Sequence, residues 1–197
     1  SCKITGRKME DLTVVINGAG AAGVAIARLL RCVDNSEDHS VCIPVKDIII
    51  CDSKGIISSH RDNLNDSKKS LLSYTNREDK GGSVHDALVG ADVFIGVSVG
   101  DLLHKEDVMT MAENPIIFAM ATPIPEIMPE EALKGKPDAI ICTGRSDFPN
   151  QVNNVLCFPF LFRGALDVGA TGINEEMKVA CVKAIAELAR QEAIAEV

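Results

Sequence analysis

The glycine-rich segment at residues 18–23 limits the fold of this chain more than any other feature of the sequence. It follows a β-branched apolar run at 13–17, opens a helical pattern at 21–31, and reads Gly18-Ala19-Gly20-Ala21-Ala22-Gly23. A G-x-G-x-x-G in this context predicts a tight strand-to-helix turn whose helix presents free N–H groups to an anion. We therefore predict that these six residues form the part of the cofactor site that binds the pyrophosphate of a dinucleotide. Gly18 permits the tight turn, Gly20 lets the backbone approach the pyrophosphate, and Gly23 lets the helix pack closely on the strand.

The rest of the chain alternates two kinds of segment. Short apolar runs without alternation are typical of strands buried on both faces of a parallel sheet, and they lie at residues 12–17, 47–51, 92–97, 115–120 and 138–143. Helical patterns follow them, at 21–31, 84–88, 105–112, 130–133, 155–166 and from Asn174 onward. This order predicts an α/β fold with a doubly wound, mostly parallel sheet of Rossmann type. We expect residues 1–197 to form a single domain with a polar insertion at 53–82.

Charge and composition exclude several classes of partner. A net charge of -8 disfavours nucleic acid, and 4% aromatic residues without tryptophan disfavour a base-stacking surface. The sequence contains neither a signal peptide nor an apolar stretch of the ~18 residues that a membrane span needs. Its seven cysteines include no C-x-x-C pair, which favours free thiols in a reducing compartment over a disulfide framework. We therefore expect a cytoplasmic protein that binds small molecules and neither nucleic acid nor membrane.

A carboxylate ends the second predicted strand. Asp52 follows the run at 47–51, the place where a Rossmann-type fold uses an acidic residue to accept hydrogen bonds from the adenosine ribose. Ser53 and Lys54 come next and belong to the predicted cofactor site. Because Lys54 and Arg61 would attract the 2′-phosphate of NADP whereas Asp52 would repel it, the sequence leaves NAD and NADP open.

A second motif lies at residues 96–100. It reads Gly96-Val97-Ser98-Val99-Gly100 and matches the G-x-S-x-G turn that carries the nucleophile of α/β-hydrolases. That chemistry needs an acid and then a histidine later in the chain, but the only histidine after Ser98 is His104, six residues on. In a doubly wound sheet this position lies beside the cofactor crevice. We therefore predict that Val97 and Ser98 contact the cofactor and that Ser98 is not a nucleophile.

From residue 14 to 189 the chain closely resembles the cofactor-binding domain of malic enzymes. The segments that carry the resemblance are VVINGAGAAGVAIARLL, ICDSKG, ADVFIGVSVG, NPIIFAMATPIPEIMPEEA, TGRSDFPNQVNNVLCFPFLFRGALDVGAT and INEEMK, and PNQVNNVLCFP is the most specific of these sequences. The resemblance implies an enzyme that oxidises malate with NAD or NADP and a Mg or Mn ion, then decarboxylates the intermediate to pyruvate and carbon dioxide. This chain would supply the dinucleotide site and part of the malate site.

The resemblance also implies residues on the substrate side. It assigns Asn154 to malate and Asn153 to the cofactor, and we expect one of the two to cap the helix that follows. The family's F-A-x-A-N-P reads Phe118-Ala119-Met120-Ala121-Thr122-Pro123 in this chain. Ala121 is therefore expected at the cofactor and Thr122 at both cofactor and substrate. A threonine hydroxyl reaches less far than an asparagine amide, which leaves the substrate itself open.

The catalytic residues of the family precede the glycine turn. They are an acid-base Tyr and Lys and metal-binding Glu and Asp residues, whereas only 17 residues precede Gly18 and the one tyrosine, Tyr74, lies in the polar insertion. The resemblance therefore implies that this chain has no catalytic and no metal-binding residue. It also implies a further N-terminal catalytic part, an isolated chain that binds nucleotide without turning over malate, and a homo-oligomer. A related dehydrogenase of another hydroxy acid and a non-catalytic nucleotide-binding module remain alternatives.

Overall fold

A computed structural model of the chain describes residues 2–33 and 42–190. Six strands lie in these ranges: β1 Thr13–Asn17, β2 Asp47–Asp52, β3 Gly55–Ile56, β4 Val93–Gly96, β5 Ile116–Ala119 and β6 Ile140–Thr143. The same ranges contain the helices α1 Cys2–Thr5, α2 Ala21–Leu30, α3 Asp66–Leu71, α4 Val84–Leu88, α5 Lys105–Thr110, α6 Pro129–Gly135, α7 Phe160–Asp167 and α8 Glu175–Leu188. Two short 3₁₀ helices lie at Met9–Asp11 and Asn154–Leu156.

The strands form one sheet in the order β3-β2-β1-β4-β5-β6. Neighbouring strands are parallel, apart from β3, which pairs antiparallel with β2. The predicted doubly wound, mostly parallel sheet of Rossmann type is confirmed. The chain passes from β1 to β2 on one side and later places β4 on the other side of β1. Ligands of such sheets bind outside the carboxyl ends of the strands, at the point where the strand order reverses.

Both faces of the sheet are buried, because successive side chains of a strand point to opposite sides. Val15 belongs to a hydrophobic cluster with Ile49 and Phe94. Its chain neighbours Val14 and Ile16 belong to a second cluster, on the other face. A strand with a core on each face needs apolar residues at every position, which explains the unalternating runs of the sequence.

The polar segment at 53–82 contributes to the sheet. It supplies the edge strand β3, whose Gly55 adopts φ 99° and would place a Cβ atom 2.2 Å from the carbonyl oxygen of Gly82. It also supplies α3, whose N-cap Asn65 accepts a hydrogen bond from the N–H of Lys68 over 2.9 Å. Leu71, at the end of α3, is fully buried. The segment therefore combines a solvated surface with its own anchors in the core.

The helix predicted at 155–166 is wrong in its first half. The structure has a 3₁₀ helix at Asn154–Leu156, and α7 begins only after Pro159. Proline has no N–H to donate to the carbonyl four residues earlier, and its ring blocks the helix before it. The break at Pro159 therefore separates the Asn153-Asn154 pair from α7.

The chain divides into two compact units. Of the described residues, 2–33 and 43–152 form the first unit, which contains the sheet, and 42 and 153–190 form the second, which contains α7 and α8. Cys32 and Cys42 are disulfide-bonded, so the expectation of free thiols is wrong at these two positions, whereas five other cysteines are free. Across 2–33 and 42–190, the helices all lack the combination of length and apolarity that a membrane crossing requires.

Candidate cofactor-binding site

The glycine turn is tightest at its first residue. Gly18 adopts φ 125°, which a residue with a side chain rarely enters, and its N–H donates to the carbonyl oxygen of Cys51 over 2.9 Å. A Cβ atom at Gly18 would lie 2.9 Å from the carbonyl oxygen of Val97. The turn therefore occupies the narrow space between the ends of β2 and β4.

The helix that follows lies against this turn and is open at its start. A Cβ atom at Gly23 would lie 1.8 Å from the carbonyl oxygen of Gly18, so only glycine allows this approach. Gly20 has no atom within 4 Å of the equivalent position, and as N-cap of α2 it makes no side-chain hydrogen bond. Gly20, Ala21 and Ala22 are exposed. An uncapped helix N-terminus with free space before it fits the pyrophosphate of a dinucleotide.

Asp52 is held by two cations at the end of β2. Arg61 donates to both carboxylate oxygens, from Nη1 to Oδ1 over 2.9 Å and from Nη2 to Oδ2 over 3.0 Å. The Nζ of Lys68 lies 2.6 Å from Oδ2, and the backbone N–H of Lys54 donates to Oδ1 over 2.9 Å. Only 8% of the Asp52 side chain is exposed. This carboxylate therefore has four donors before any ligand arrives.

These partners decide the charge of Asp52. Burial raises the pKa of its carboxyl, but the hydrogen bonds from Arg61 and Lys68 outweigh burial and hold that pKa well below its ordinary value. Asp52 is thus ionised at neutral pH, and the three side chains carry a net positive charge. Of the two cations considered from the sequence, Arg61 lies in this cluster, whereas Lys54 contributes its backbone N–H and is otherwise exposed, as is Ser53.

Ser98 lies just beyond β4, as predicted. It is exposed, and its backbone N–H donates to Oε1 of Glu126 over 3.4 Å. Val97 is half-buried, and its N–H donates to the carbonyl oxygen of Asn17 over 2.9 Å. His104 precedes α5 and donates from its backbone to Asp107 over 2.8 Å. Among the described residues, no histidine is bonded to the Ser98 hydroxyl, so the geometry of a hydrolase triad is not formed there.

Ala121 and Thr122 lie beyond the end of β5, next to the end of β4. Ala121 is buried, and its N–H donates to Oε2 of Glu126 over 3.0 Å. Thr122 is exposed, and its hydroxyl lies 3.5 Å from the carbonyl oxygen of Met120. The structure therefore brings the β4 and β5 turns together through Glu126. The Thr122 hydroxyl remains accessible to a ligand.

Two residues of this region were missed by the sequence reasoning. Lys68 reaches Asp52 from α3, and no local pattern indicates a contact across sixteen residues of loop and helix. Glu126 is fully buried between the apolar residues Pro125 and Ile127. A single acidic residue inside an apolar run was the available signal for a buried carboxyl.

Asn153 and Asn154 belong to the second unit. The side-chain oxygen of Asn153 accepts the N–H of Val155 over 3.0 Å and so caps the 3₁₀ helix, which confirms that one asparagine of the pair is a cap. Asn154 is exposed, and its backbone oxygen accepts the N–H groups of Cys157 and Phe158. The capping bond uses the oxygen of Asn153, so the amide group of Asn154 is the more available of the two.

The part of the chain that the structure describes contains no group of three His, Cys, Asp or Glu side chains arranged to hold a metal ion. The acidic side chains at the cofactor site are occupied by other partners. Asp52 binds cations of the protein, and Glu126 accepts backbone N–H groups. The residues present therefore fit a dinucleotide, and they do not by themselves form a divalent-metal centre.

Comparisons with known proteins agree with this geometry. A family model described as "Malic enzyme, NAD binding domain" matches residues 1–197. The bifunctional malic/malolactic enzyme of Bacillus subtilis is 55% identical over 96% of this chain, which spans 44% of that protein. An NADP-dependent malic enzyme of Haemophilus influenzae is 50% identical over 98% of the chain, which spans 24% of that protein. The crystal structure of an NAD-dependent malic enzyme from Thermotoga maritima gives a TM-score of 0.81 at 38% identity, and the match covers 96% of this chain and 47% of that one.

Proposed function

Because the chain belongs to the family of malic enzyme NAD-binding domains, we propose that it is the cofactor-binding part of an enzyme that oxidises malate to pyruvate and carbon dioxide with NAD or NADP. The family match over residues 1–197 carries this proposal. The chain spans less than half of the length of each relative named above, so the activity of the whole enzyme is part of the proposal. The open glycine turn supports the binding of the dinucleotide.

The strand order supports one direction for the cofactor. Asp52 lies at the end of β2, the glycine turn follows β1, and Ser98 and Thr122 follow β4 and β5. A dinucleotide that crosses this edge with its adenosine ribose at Asp52 has its pyrophosphate at the N-terminus of α2. Its nicotinamide half then lies over the turns after β4 and β5. Val97, Ser98, Ala121 and Thr122 are the proposed contacts of that half.

A nicotinamide bound here would supply the hydride acceptor, and the residues of this chain would orient it and the substrate. We assign Asn154 and Thr122 to malate, since an amide donates to a carboxylate and a hydroxyl donates or accepts. Asn153 serves the cofactor, because its oxygen caps the 3₁₀ helix and its amide N–H groups can still donate. Such contacts stabilise the geometry of hydride transfer by holding the reacting atoms close together.

The rest of the chemistry lies outside this chain in our proposal. A Mg or Mn ion of the full enzyme would take its ligands from the remainder of the protein. The isolated chain would bind nucleotide and leave malate unchanged. We further propose a cytoplasmic homo-oligomer, which sedimentation velocity of the natural protein and its cellular fractionation would test.

Calorimetric titration of the chain with NAD⁺, NADP⁺ and malate tests the proposal, together with pyruvate production by the natural protein. We expect the chain to bind nucleotide saturably. We expect metal-dependent pyruvate formation only from the natural protein and not from the isolated chain. The proposal would be contradicted if the chain bound no nucleotide, or if residues 1–197 on their own formed pyruvate. Nucleotide binding in a natural protein without any dehydrogenase activity would indicate a nucleotide-binding module instead.

Thr122 favours a second candidate, a related dehydrogenase with a different hydroxy acid. Its hydroxyl is exposed at the end of β5, where the resemblance leads us to expect an asparagine amide. A site built around a hydroxyl rejects ligands that need the longer amide. Turnover measured with a panel of 2-hydroxy acids separates the two candidates, since the first requires malate to have the highest kcat/KM.

A further inference from the structure

Glu126 is a buried carboxyl that the proposed function does not use. Its side chain is fully buried, and within the described ranges it forms no ion pair with a lysine, arginine or histidine. A buried carboxyl without a cation costs free energy and persists only where hydrogen bonds replace its lost hydration. The hydrogen-bond partners of the Glu126 carboxyl therefore indicate its structural role.

Those partners are backbone N–H groups of two adjacent turns. The hydrogen bonding between β4 and β5 continues to the N–H of Met120, which donates to the carbonyl oxygen of Gly96 over 3.2 Å. Beyond that bond, Oε2 of Glu126 accepts the N–H of Ala121 over 3.0 Å and Oε1 accepts the N–H of Ser98 over 3.4 Å. The carboxyl thus bridges the two turns where the strands no longer bond to each other.

The backbone of Glu126 is fixed as well. Its carbonyl oxygen accepts the N–H groups of Leu102 and Leu103 over 2.8 and 2.9 Å. The side chain fills the space that Gly96 leaves in β4, since a Cβ atom at Gly96 would lie 2.1 Å from its Cδ. A carboxyl clamped at its backbone and packed along its stem has little freedom, so it can hold both turns at a set distance.

We infer that Glu126 is a positioning residue for the nicotinamide half of the cofactor, acting through the turns of Ser98 and Ala121. This inference rests on the proposed path of the dinucleotide across the sheet edge. The ribose and pyrophosphate contacts at Asp52 and the glycine turn are made on the other side of β4. Loss of the Glu126 bridge therefore affects one half of the cofactor more than the other.

The substitution Glu126→Gln removes half of the bridge without changing its size. An amide has one accepting oxygen and one donating nitrogen, so one of the two N–H groups faces another donor. That turn shifts away from its position, while the core beneath it stays filled. The matched control is Glu130→Gln, because Glu130 is an exposed glutamate on the neighbouring helix α6.

The experiment compares the dissociation constants of NAD⁺, NADP⁺ and ADP-ribose for the wild-type chain, E126Q and E130Q by calorimetry. ADP-ribose contains the adenosine and pyrophosphate parts and lacks the nicotinamide. We expect E126Q to weaken the better-bound dinucleotide about 10-fold relative to wild type and to leave ADP-ribose within about 2-fold. E130Q should change neither. Equal weakening of both ligands by E126Q, or no weakening of the dinucleotide, would overturn the inference.

A measurement on the wild type covers the case in which E126Q fails to fold. Amide hydrogen exchange should show protection of the Ser98 and Ala121 N–H groups, although both lie beyond the ends of their strands. Rapid exchange at both would overturn the inference. Failure of the proposed function would be seen separately. If the wild-type chain binds no dinucleotide, the proposed function is wrong. If the wild-type chain binds dinucleotide but the natural protein does not oxidise malate, the role of Glu126 in cofactor binding still stands.

Discussion

Asp52 and Glu126 are acidic side chains at the carboxyl edge of the same sheet, and their surroundings act on the negative charge in opposite ways. Asp52 contacts Arg61 and Lys68, and these cations lower the pKa of its carboxyl. Among residues 2–33 and 42–190, Glu126 accepts only backbone N–H groups. Its burial raises the pKa of its carboxyl, against the effect of the N–H groups of Ala121 and Ser98. The two ends of the edge therefore differ in charge and in solvent contact.

This difference between Asp52 and Glu126 shows two ways in which a protein can prepare a ligand site, by charge and by position. At the proposed adenosine end, Arg61 and Lys68 together outnumber the single charge of Asp52, so this end carries a net positive charge. At the proposed nicotinamide end, the buried carboxyl of Glu126 holds the turns of Ser98 and Ala121, and the proposed ligand contacts are backbone groups and small side chains. Charge at the first end should govern which cofactor binds, and geometry at the second end should govern how well it is oriented.

The largest effect that we predict concerns the space for Glu126. Gly96→Ala would place a Cβ atom 2.1 Å from the Cδ of Glu126, so the carboxyl must leave its position, and we expect the free energy of unfolding to fall by about 3 kcal/mol. Urea denaturation measures this loss. Gly81→Ala is the control, because a Cβ atom there meets nothing within 4 Å.

The double variant G96A/E126A tests the cause of that loss. If the clash with Glu126 is responsible, removing its side chain recovers part of the stability, and the two substitutions are not additive. Strict additivity of the two free-energy changes would show that Gly96 is needed for another reason.

The second effect concerns the charge of Asp52. Asp52→Asn leaves Arg61 and Lys68 without their carboxylate and should lower the free energy of unfolding at pH 7 by about 2 kcal/mol. The control is Asp62→Asn, because Asp62 is exposed on the loop between β3 and α3 and has no described partner, and it should change the free energy of unfolding by less than about 0.5 kcal/mol.

The pH dependence of the Asp52 effect follows from its lowered pKa. The group binds fewer protons in the folded state, so its stabilisation is complete above the unfolded pKa of about 3.9 and is lost as pH falls through the lower folded value. The difference between wild type and D52N in urea denaturation should therefore persist at pH 5. A difference that has already disappeared at pH 5 would contradict the ion-pair explanation.

The sequence was sufficient for the features that short-range patterns determine. The glycine turn, the five parallel strands and a cap at one of the two asparagines 153 and 154 are set by neighbours within a few residues. The family resemblance is confirmed by the match over residues 1–197. The antiparallel strand β3 was missed because it depends on the positive φ of Gly55 and its approach to Gly82. Lys68 was missed for a related reason, since its contact with Asp52 requires the folded path of the whole polar segment.

The third effect concerns cofactor choice at the adenosine end. Lys68→Met removes one of the two cations at Asp52 and should raise the dissociation constant of NADP⁺ about 10-fold, because its 2′-phosphate loses a positive partner. The constant for NAD⁺, which has a neutral ribose diol there, should change by less than about 2-fold. Calorimetry measures both, with the exposed neighbour Lys69→Met as control. Equal weakening of the two cofactors would mean that Lys68 only supports the fold.

The smallest effect, and the one that sharpens the comparison most, is the pH dependence of stability at Glu126. A raised folded pKa means that the folded state binds more protons than the unfolded state, so this carboxyl stabilises the protein at low pH and the stabilisation is lost as pH rises through the folded value. The free energy of unfolding of wild type should therefore fall relative to E126Q as pH rises above about 4.3, the ordinary glutamate value. E130Q should follow the wild-type slope. If the free energy of unfolding of wild type instead rises relative to that of E126Q over the same pH range, the hydrogen bonds from the N–H groups of Ala121 and Ser98 outweigh burial. The folded-state pKa would then be lowered at Glu126 as it is at Asp52.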